Sequence, residues 1–295
     1  MSLAPIILFV YNRPEHTIKT VEALKLNRFA DESALYIYSD GNKNENDKYA
    51  VSEVREYIST ISGFKEIKIV LRDRNLGLAE SVISGVTDVI EKFGKTIVLE
   101  DDIITSKYFL KFMNEALDFY KDEQNIYSIS GYNFPIKIPQ SYKHKVFVSP
   151  RPSSWGWATW KDRWEKAIWK PENYFEIRNK KALRTLMDQA GKDLVPMLLK
   201  SIEGKISSWA VKWAFTHLIK NSYCLYPVKS FLQNIGVDST GTHFKNKVKK
   251  FNVEIDPEFF IQSLADELVF SNEIQKQINA LVDPSILRKT LNYFN

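Results

Sequence analysis

The chain has 295 residues and a mass of 34.3 kDa, enough to bury one large core and too long for a disulfide-stapled module. Hydrophobic residues make up 44% and charged residues 26%, which excludes bulk disorder, and one cysteine with four histidines excludes an intrachain disulfide or a Cys/His metal cage. The net charge of +5 suits an anionic small molecule or an acidic membrane surface and is too mild to signal nucleic acid.

The lone Cys224 points to a reducing compartment. The longest apolar run, Pro5 to Val10, is far too short to span a bilayer, and no basic leader precedes it. A cytoplasmic protein is therefore expected. The lysines of the 245–250 run offer a peripheral contact with the inner face of a membrane, or simply a solvated surface.

Strand-like runs occur at Pro5–Val10, Ala34–Tyr38, Ile67–Leu71 and Thr96–Leu99. Helical stripes lie between them. The first follows Pro14 with Ile18, Val21 and Leu24; the second has Val51, Val54, Ile58 and Ile61. The third runs from Leu78 to Phe93 and is closed by Gly94, a C-terminal cap. This alternation predicts βαβ units and a buried, mostly parallel sheet, so an α/β fold. Such sheets bind ligands beyond the carboxyl ends of their strands. The residues there are polar: Tyr11–Pro14, Ser39–Asn42, Arg72–Gly77 and Glu100–Asp102.

Further along, Thr105 or Ser106 should cap a helix bearing Phe109, Met113 and Leu117. Short strands and turns follow. Ser207 or Ser208 should cap a helix with Trp209, Trp213 and His217 on one side, and the last forty residues read as amphipathic helices.

Three consecutive acids, Glu100, Asp101 and Asp102, repel one another at the end of a buried strand. A divalent cation shared with a substrate phosphate relieves that repulsion, and Mn2+ or Mg2+ suits carboxylate oxygens. The plainer reading is a solvated acidic turn or helix-start charge. Neither G-x-G-x-x-G after the first strand nor a P-loop is present, which argues against dinucleotide and P-loop ATP sites. Asp40 could accept from a uracil N–H or simply form an Asp-Gly turn. Arg74 and Asn75, with Arg72, precede a helix start and suit a phosphate or the surface.

All seven tryptophans lie between Trp155 and Trp213. Trp155 and Trp157 flank Gly156, with small neighbours that could leave indole faces open to a sugar; Trp160 and Trp164 suit the core. His217 suits packing. His243, in a turn-rich loop, becomes a candidate third metal ligand only beside the acids.

Taken in order, Phe9–Pro14, Asp40-Gly41, Arg74–Leu78, Val98–Asp102, Ser154–Trp160 and Asn234–His243 resemble the GT-A glycosyltransferases. The closer likeness is to the branch around N-acetylglucosaminyltransferase I and bacterial surface-polysaccharide sugar transferases. The resemblance implies a Rossmann-like nucleotide-binding half over 1–103, an acceptor and catalytic α+β half over 104–250, and a C-terminal helical extension over 251–295. It implies that Asp102 and His243 contact the metal, and that Glu100 and Asp101 hold the ribose and tune the site. Asp40, Asn12, Arg13, Arg74 and Asn75 then serve the nucleotide, and Trp155, Gly156, Trp157 and Trp209 the sugar and acceptor.

One departure matters. Inverting relatives place an Asp at a helix start in a W-D-x-x-W-like context, and here Ala210 stands between Trp209 and Trp213. Glu203 and Asp238 are the substitutes for the general base. The sequence reading is thus a metal-dependent transferase moving a hexosyl or N-acetylhexosaminyl unit from a UDP-sugar donor to a hydroxyl of a glycan or lipid-linked acceptor, with inversion, in bacterial cell-surface polysaccharide synthesis. The rivals are a sugar-nucleotide nucleotidyltransferase and a weakly active or inactive nucleotide-sugar-binding relative.

Overall fold

The computed structural model describes residues 2–171, 174–236, 249–264 and 267–284. Asp238, His243 and most of the lysine run lie outside the described residues. A sheet of eight strands forms the centre, with the order β3-β2-β1-β4-β8-β6-β9-β7. These are β1 (Ile6–Val10), β2 (Ala34–Ser39), β3 (Glu66–Leu71), β4 (Lys95–Glu100), β6 (Ile126–Ser130), β7 (Val146–Ser149), β8 (Trp157–Trp160) and β9 (Tyr223–Pro227). Strands β3, β2, β1 and β4 pair in parallel, β8 enters antiparallel between β4 and β6, and β7 is antiparallel to β9. Six strands therefore run one way and two oppose them.

The helices of the first half follow from the sequence stripes. Helix α1 (Pro14–Lys25) begins with its proline, which lacks only an N–H that the first turn could not use. Helices α2 (Lys48–Ser59) and α3 (Leu78–Phe93) bury Val51, Val54 and Ile58, and Val82, Val86 and Ile90. Gly94 ends α3 at φ 74°, with its N–H donating to the Ile90 carbonyl at 2.8 Å. Strands β1 and β4 are buried on both faces because helices cover both.

After β4 the chain makes a short strand β5 (Ile103–Thr105), which pairs antiparallel with β10 (Leu232–Asn234) in a second, two-stranded sheet. Helix α4 (Phe109–Phe119) starts after Tyr108, later than the expected Thr105 or Ser106 cap, because Thr105 belongs to β5. A helical segment, α5 (Lys161–Trp164), α6 (Tyr174–Asn179), α7 (Lys181–Asp188) and α8 (Leu194–Ile202), precedes α9 (Trp209–Ile219). The Ser208 hydroxyl caps α9 by accepting from the Val211 N–H.

The described part of the C-terminal segment holds one α-helix, α10 (Asn272–Val282), whose Ile274, Ile278 and Val282 join the main core. Phe270 bridges to Val148 of β7. This segment is packed onto the far edge of the sheet.

Candidate active site

The site lies where β1, β2 and β4 end together. The register places Phe9 beside Glu100 and Val10 beside Ser39, so Tyr11–Arg13, Asp40 and Glu100–Asp102 emerge at one sheet edge. The antiparallel strand β8 begins there too, since Trp157 pairs with Val98.

Arg13 is the centre of the charge arrangement. One of its terminal nitrogens pairs with Asp101 and also with Asp102, the latter at 3.1 Å. The other, Nη1, is buried without a hydrogen-bond partner among the described residues. The backbone around this pair is also tied down: the Thr20 hydroxyl donates to the Asp101 carbonyl at 2.8 Å. The two aspartates hold the Arg13 guanidinium firmly protonated.

Three acids face this one cation, and the deficit shows in the titration of Glu100 and Asp101. Glu100 keeps some exposure, yet burial, and then repulsion from Asp102 and Asp101, raises its carboxyl to about 8. Burial also raises Asp101 to about 6, against the downward pull of Arg13. Glu100 accepts no hydrogen bond from the described residues.

Asp102 is braced from the small sheet. Asn234 donates through its side-chain amide to Asp102 Oδ1 at 3.1 Å, and Gly236 N–H donates to Asn234 Oδ1 at 2.8 Å. The Ile235 N–H donates to the Asp102 carbonyl at 2.8 Å. A Cβ on Gly236 would stand 2.1 Å from Asp102 Oδ2 and 2.8 Å from Arg13 Nη1, so only glycine fits here with Asp102 where it is. Residues Asn234 and Gly236 were visible in the sequence only within a longer motif; nothing local marks them as braces for a carboxylate.

A second network ties β1 to the loop after β2. Tyr11 donates through its hydroxyl to Asp47 Oδ2 at 2.8 Å, and Asn12 Nδ2 donates to Asp47 Oδ1 at 2.9 Å. The Lys43 N–H donates to the Tyr11 oxygen at 2.9 Å. Burial, followed by the Asp47 carboxylate, pushes the Tyr11 hydroxyl up to about 12. Asp47 sits in a polar run with no pattern of its own, so sequence reasoning passes over it.

Asp40 is buried, and both of its carboxylate oxygens are engaged by main-chain donors. Leu76 N–H reaches both, at 3.0 and 3.1 Å; Gly77 N–H reaches Oδ2 at 3.0 Å and Gly41 N–H reaches Oδ1 at 3.2 Å. It thus fixes the turn that leads into α3, a fuller role than an Asp-Gly turn. Asn75 Nδ2 donates to the Gly41 carbonyl at 2.8 Å, zipping the same two loops together. The Arg74 side chain is exposed, and Arg72 is turned onto Ser81, Ser84 and the Tyr38 ring.

The tryptophans correct an expectation. Trp157 and Trp209 are 1% and 2% exposed and stack on each other at 4.9 Å. They belong to a core cluster with Trp164 and Trp213, against which Trp169 packs. They do not present faces to a ligand, because β8 is an interior strand covered on both sides, so small neighbours make room for packing. Trp155 stays half-buried, edge-on to Tyr132 at 4.7 Å, at the sheet edge that carries the acids. Gly156 is in the left-handed region at φ 53°, and its carbonyl accepts from Gly131 N–H. His217 is fully buried between Trp213 and Tyr127, where burial lowers it to about 3 and keeps it neutral.

No acid lies on α9, so Ala210 has no carboxylate neighbour within its own helix. Glu203 follows α8 and pairs with Lys205 at 2.8 Å.

Among the described residues no group of three or more His, Cys, Asp or Glu side chains is arranged to hold a metal ion. The acid cluster nevertheless fits the mode in which one or two carboxylates share a hard cation with substrate phosphates. It has three hard oxygen donors against a single guanidinium, and Glu100 has no donor satisfying it. No helix among the described residues is long and apolar enough to cross a membrane.

No family model matches the sequence, and no curated protein matches it. Solved structures are similar at low score. TarS of S. aureus is 12% identical with a TM-score of 0.42, covering 77% of this chain and 36% of its own. The chain therefore spans about a third of TarS. The mannosyltransferase PcManGT from Pyrobaculum calidifontis, in complex with GDP-Man and Mn2+, is 10% identical with a TM-score of 0.40, covering 73% of this chain and 70% of its own. Mouse xyloside xylosyltransferase 1 is 10% identical with a TM-score of 0.35, covering 73% and 81%.

Proposed function

We propose that the chain is a GT-A-type glycosyltransferase that takes a nucleotide-diphosphate sugar, a UDP-sugar, and passes the sugar to a hydroxyl of a glycan or lipid-linked acceptor. The observation that supports this best is the acid cluster. Glu100, Asp101 and Asp102 end a central parallel strand at the ligand-binding edge, Asp101 and Asp102 share the Arg13 cation, and Asp102 is braced by Asn234 beside a glycine position with no room for a side chain.

In this reading Asp102, assisted by Glu100, holds Mn2+ or Mg2+, with His243 as a further ligand. The metal supplies Lewis-acid neutralisation of the leaving diphosphate. Arg13 orients Asp101 and Asp102 and directs its unpartnered Nη1 toward negative charge. Asp40 and Asn75 fix the two loops that flank the nucleobase, and Asn12 with Asp47 fixes the loop beside them. Trp155 and Gly156 form the sugar side of the edge. Transfer with inversion calls for a carboxylate at the acceptor hydroxyl, and Glu203 and Asp238 are the candidates for that base. The branch around N-acetylglucosaminyltransferase I, hexosyl or N-acetylhexosaminyl transfer, and bacterial surface-polysaccharide synthesis at the cytoplasmic membrane face belong to the same proposal.

The test is calorimetry with UDP and Mn2+ on the wild type and on Asp102→Ala. Metal-dependent binding that Asp102→Ala removes is expected. Binding without metal dependence, or unchanged in the variant, overturns the reading. Release of free UDP in the presence of acceptor marks glycosyl transfer, whereas pyrophosphate marks nucleotidyl transfer. The acid-free α9 favours one second reading, a relative that binds the donor and turns it over weakly; binding without UDP release would establish it.

A further inference from the structure

A pocket of about 440 Å³ lies far from the acids. It opens between the last turns of α7 and α9, the first residue of β9 and helix α10. Because β9 runs in the same direction as β4, Tyr223 at its start is on the opposite edge of the sheet from Glu100. Helix α9 connects the two edges. Trp209, near its start, stacks on Trp157, and its last turn borders the pocket, so eleven residues separate the sites by roughly 16 Å along the axis.

The lining is unlike that of a core void. Gln189, Asn221 and Asn272 contribute exposed side-chain amides that make no hydrogen bond with the described residues, and Lys276 an exposed ammonium with no acid partner among them. Each amide offers two donors and an acceptor. Among the described residues no Asp or Glu lines the pocket, so its charge does not suit a cationic ligand. Tyr223 and Phe270 meet at 6.0 Å and give an aromatic patch; Phe270 is 40% exposed.

The wall behind these free groups is fixed. Gln275 is buried, donates to the Gln189 carbonyl at 3.2 Å and to Asn279 Oδ1 at 2.7 Å, and accepts from the Ser149 hydroxyl at 2.8 Å. Asn279 donates to the same Gln189 carbonyl at 3.1 Å. A satisfied amide network thus fixes the Gln189 backbone, beside which the exposed amides of Gln189, Asn221 and Asn272 are free to exchange water for a ligand.

We propose that this pocket is a second carbohydrate-binding site, taking one or two sugar units of a neutral glycan. Paired donors and acceptors on amides match vicinal hydroxyls, and the aromatic faces match the apolar C–H face of a pyranose. The single lysine and the absence of any phosphate cradle make a nucleotide the poorer match. The inference stands apart from the transferase reading, since it rests on a different set of residues.

The experiment titrates the whole protein, labelled with 15N, with cellobiose, lactose, chitobiose and mannobiose, following side-chain amide signals. At least one disaccharide should saturate with a Kd on the order of 1 mM, shifting the Gln189, Asn221 and Asn272 amides. Phe270→Ala, and separately Asn272→Ala with Lys276→Ala, should each weaken it about tenfold. These positions are exposed, and failure of one variant to fold leaves the other as the test. UDP and Mn2+ titrated in parallel should bind both variants as they bind the wild type, which separates this site from the acid cluster. Saturation by none of the four sugars, or equal affinity in wild type and variants, overturns the proposal.

Discussion

Gly236→Ala isolates the brace on Asp102. Gly236 is not among the glycines with positive φ, so alanine meets no backbone obstacle and, by limiting the unfolded chain, would stabilise by about 0.4–1 kcal/mol. Against this stands the new Cβ, 2.1 Å from Asp102 Oδ2 and 2.9 Å from its Cγ. The carboxylate must retreat by about 1 Å or more to reach an ordinary contact. Doing so stretches the Asn234 hydrogen bond and the Arg13 contact, both at 3.1 Å. Losing the two costs about 2–4 kcal/mol, leaving a net loss of about 1–3 kcal/mol. Denaturant unfolding reads the stability, and calorimetry with UDP and Mn2+ reads the site. A displacement of about 1 Å at a charged group costs on the order of 10²-fold in activity. The deciding measurement is the double variant with Asp102→Ala. Removing the carboxylate removes the closest collision and leaves only the 2.8 Å approach to the end of the Arg13 side chain, so Gly236→Ala should then cost much less than in the wild type. Equal, additive costs in both backgrounds would refute the steric argument.

Three further outcomes follow from the same geometry. Arg13→Met leaves the acid cluster without its cation and should destabilise by about 3 kcal/mol near neutral pH, with a smaller loss near pH 5, as the acids protonate; a loss independent of pH in chemical denaturation would contradict this. Glu100 and Asp101 have folded values of about 8 and about 6, raised from 4.5 and 3.8, so the stability tied to their protonation is complete below those ordinary values and falls as pH rises through the raised ones. Mn2+ should accordingly raise the melting temperature more at about pH 8.5 than at about pH 5.5, with proton release detectable by calorimetry in two buffers. Trp157→Ala should cost about 3–5 kcal/mol of stability with UDP affinity unchanged, since the indole is core; an affinity loss in the folded variant would return Trp157 to the ligand edge.

Much of this was legible in the sequence, and the reasons differ by element. The first four strands and three helices follow from local alternation, because each element there buries its own apolar stripe. Glu100–Asp102 stood out because adjacent like charges at a strand end need an external reason. The insertion of β8 between β4 and β6 was not legible, since a four-residue strand has too short a pattern to state its partners. The tryptophans misled for a related cause. Small neighbours were read as open space, whereas an interior strand buries residues on both faces. Asp47 escapes the sequence, and Asn234 and Gly236 show there only within a longer motif, because their significance lies in partners 35 and more residues away.

The link between Asn234 and Asp102 spans 132 residues, and that separation has a consequence for the order in which a growing chain acquires its chemistry. Strands β1 to β4 need only the first hundred residues, and domains assemble from the N-terminal end as synthesis proceeds. The acids therefore take their place on the sheet long before the ribosome has made residue 234. Throughout that interval Asp102 has Arg13 but no brace. A nascent chain of this protein can hold its first four strands paired while the Asp102 carboxylate is still free to turn. Competence arrives with the docking of a three-residue strand.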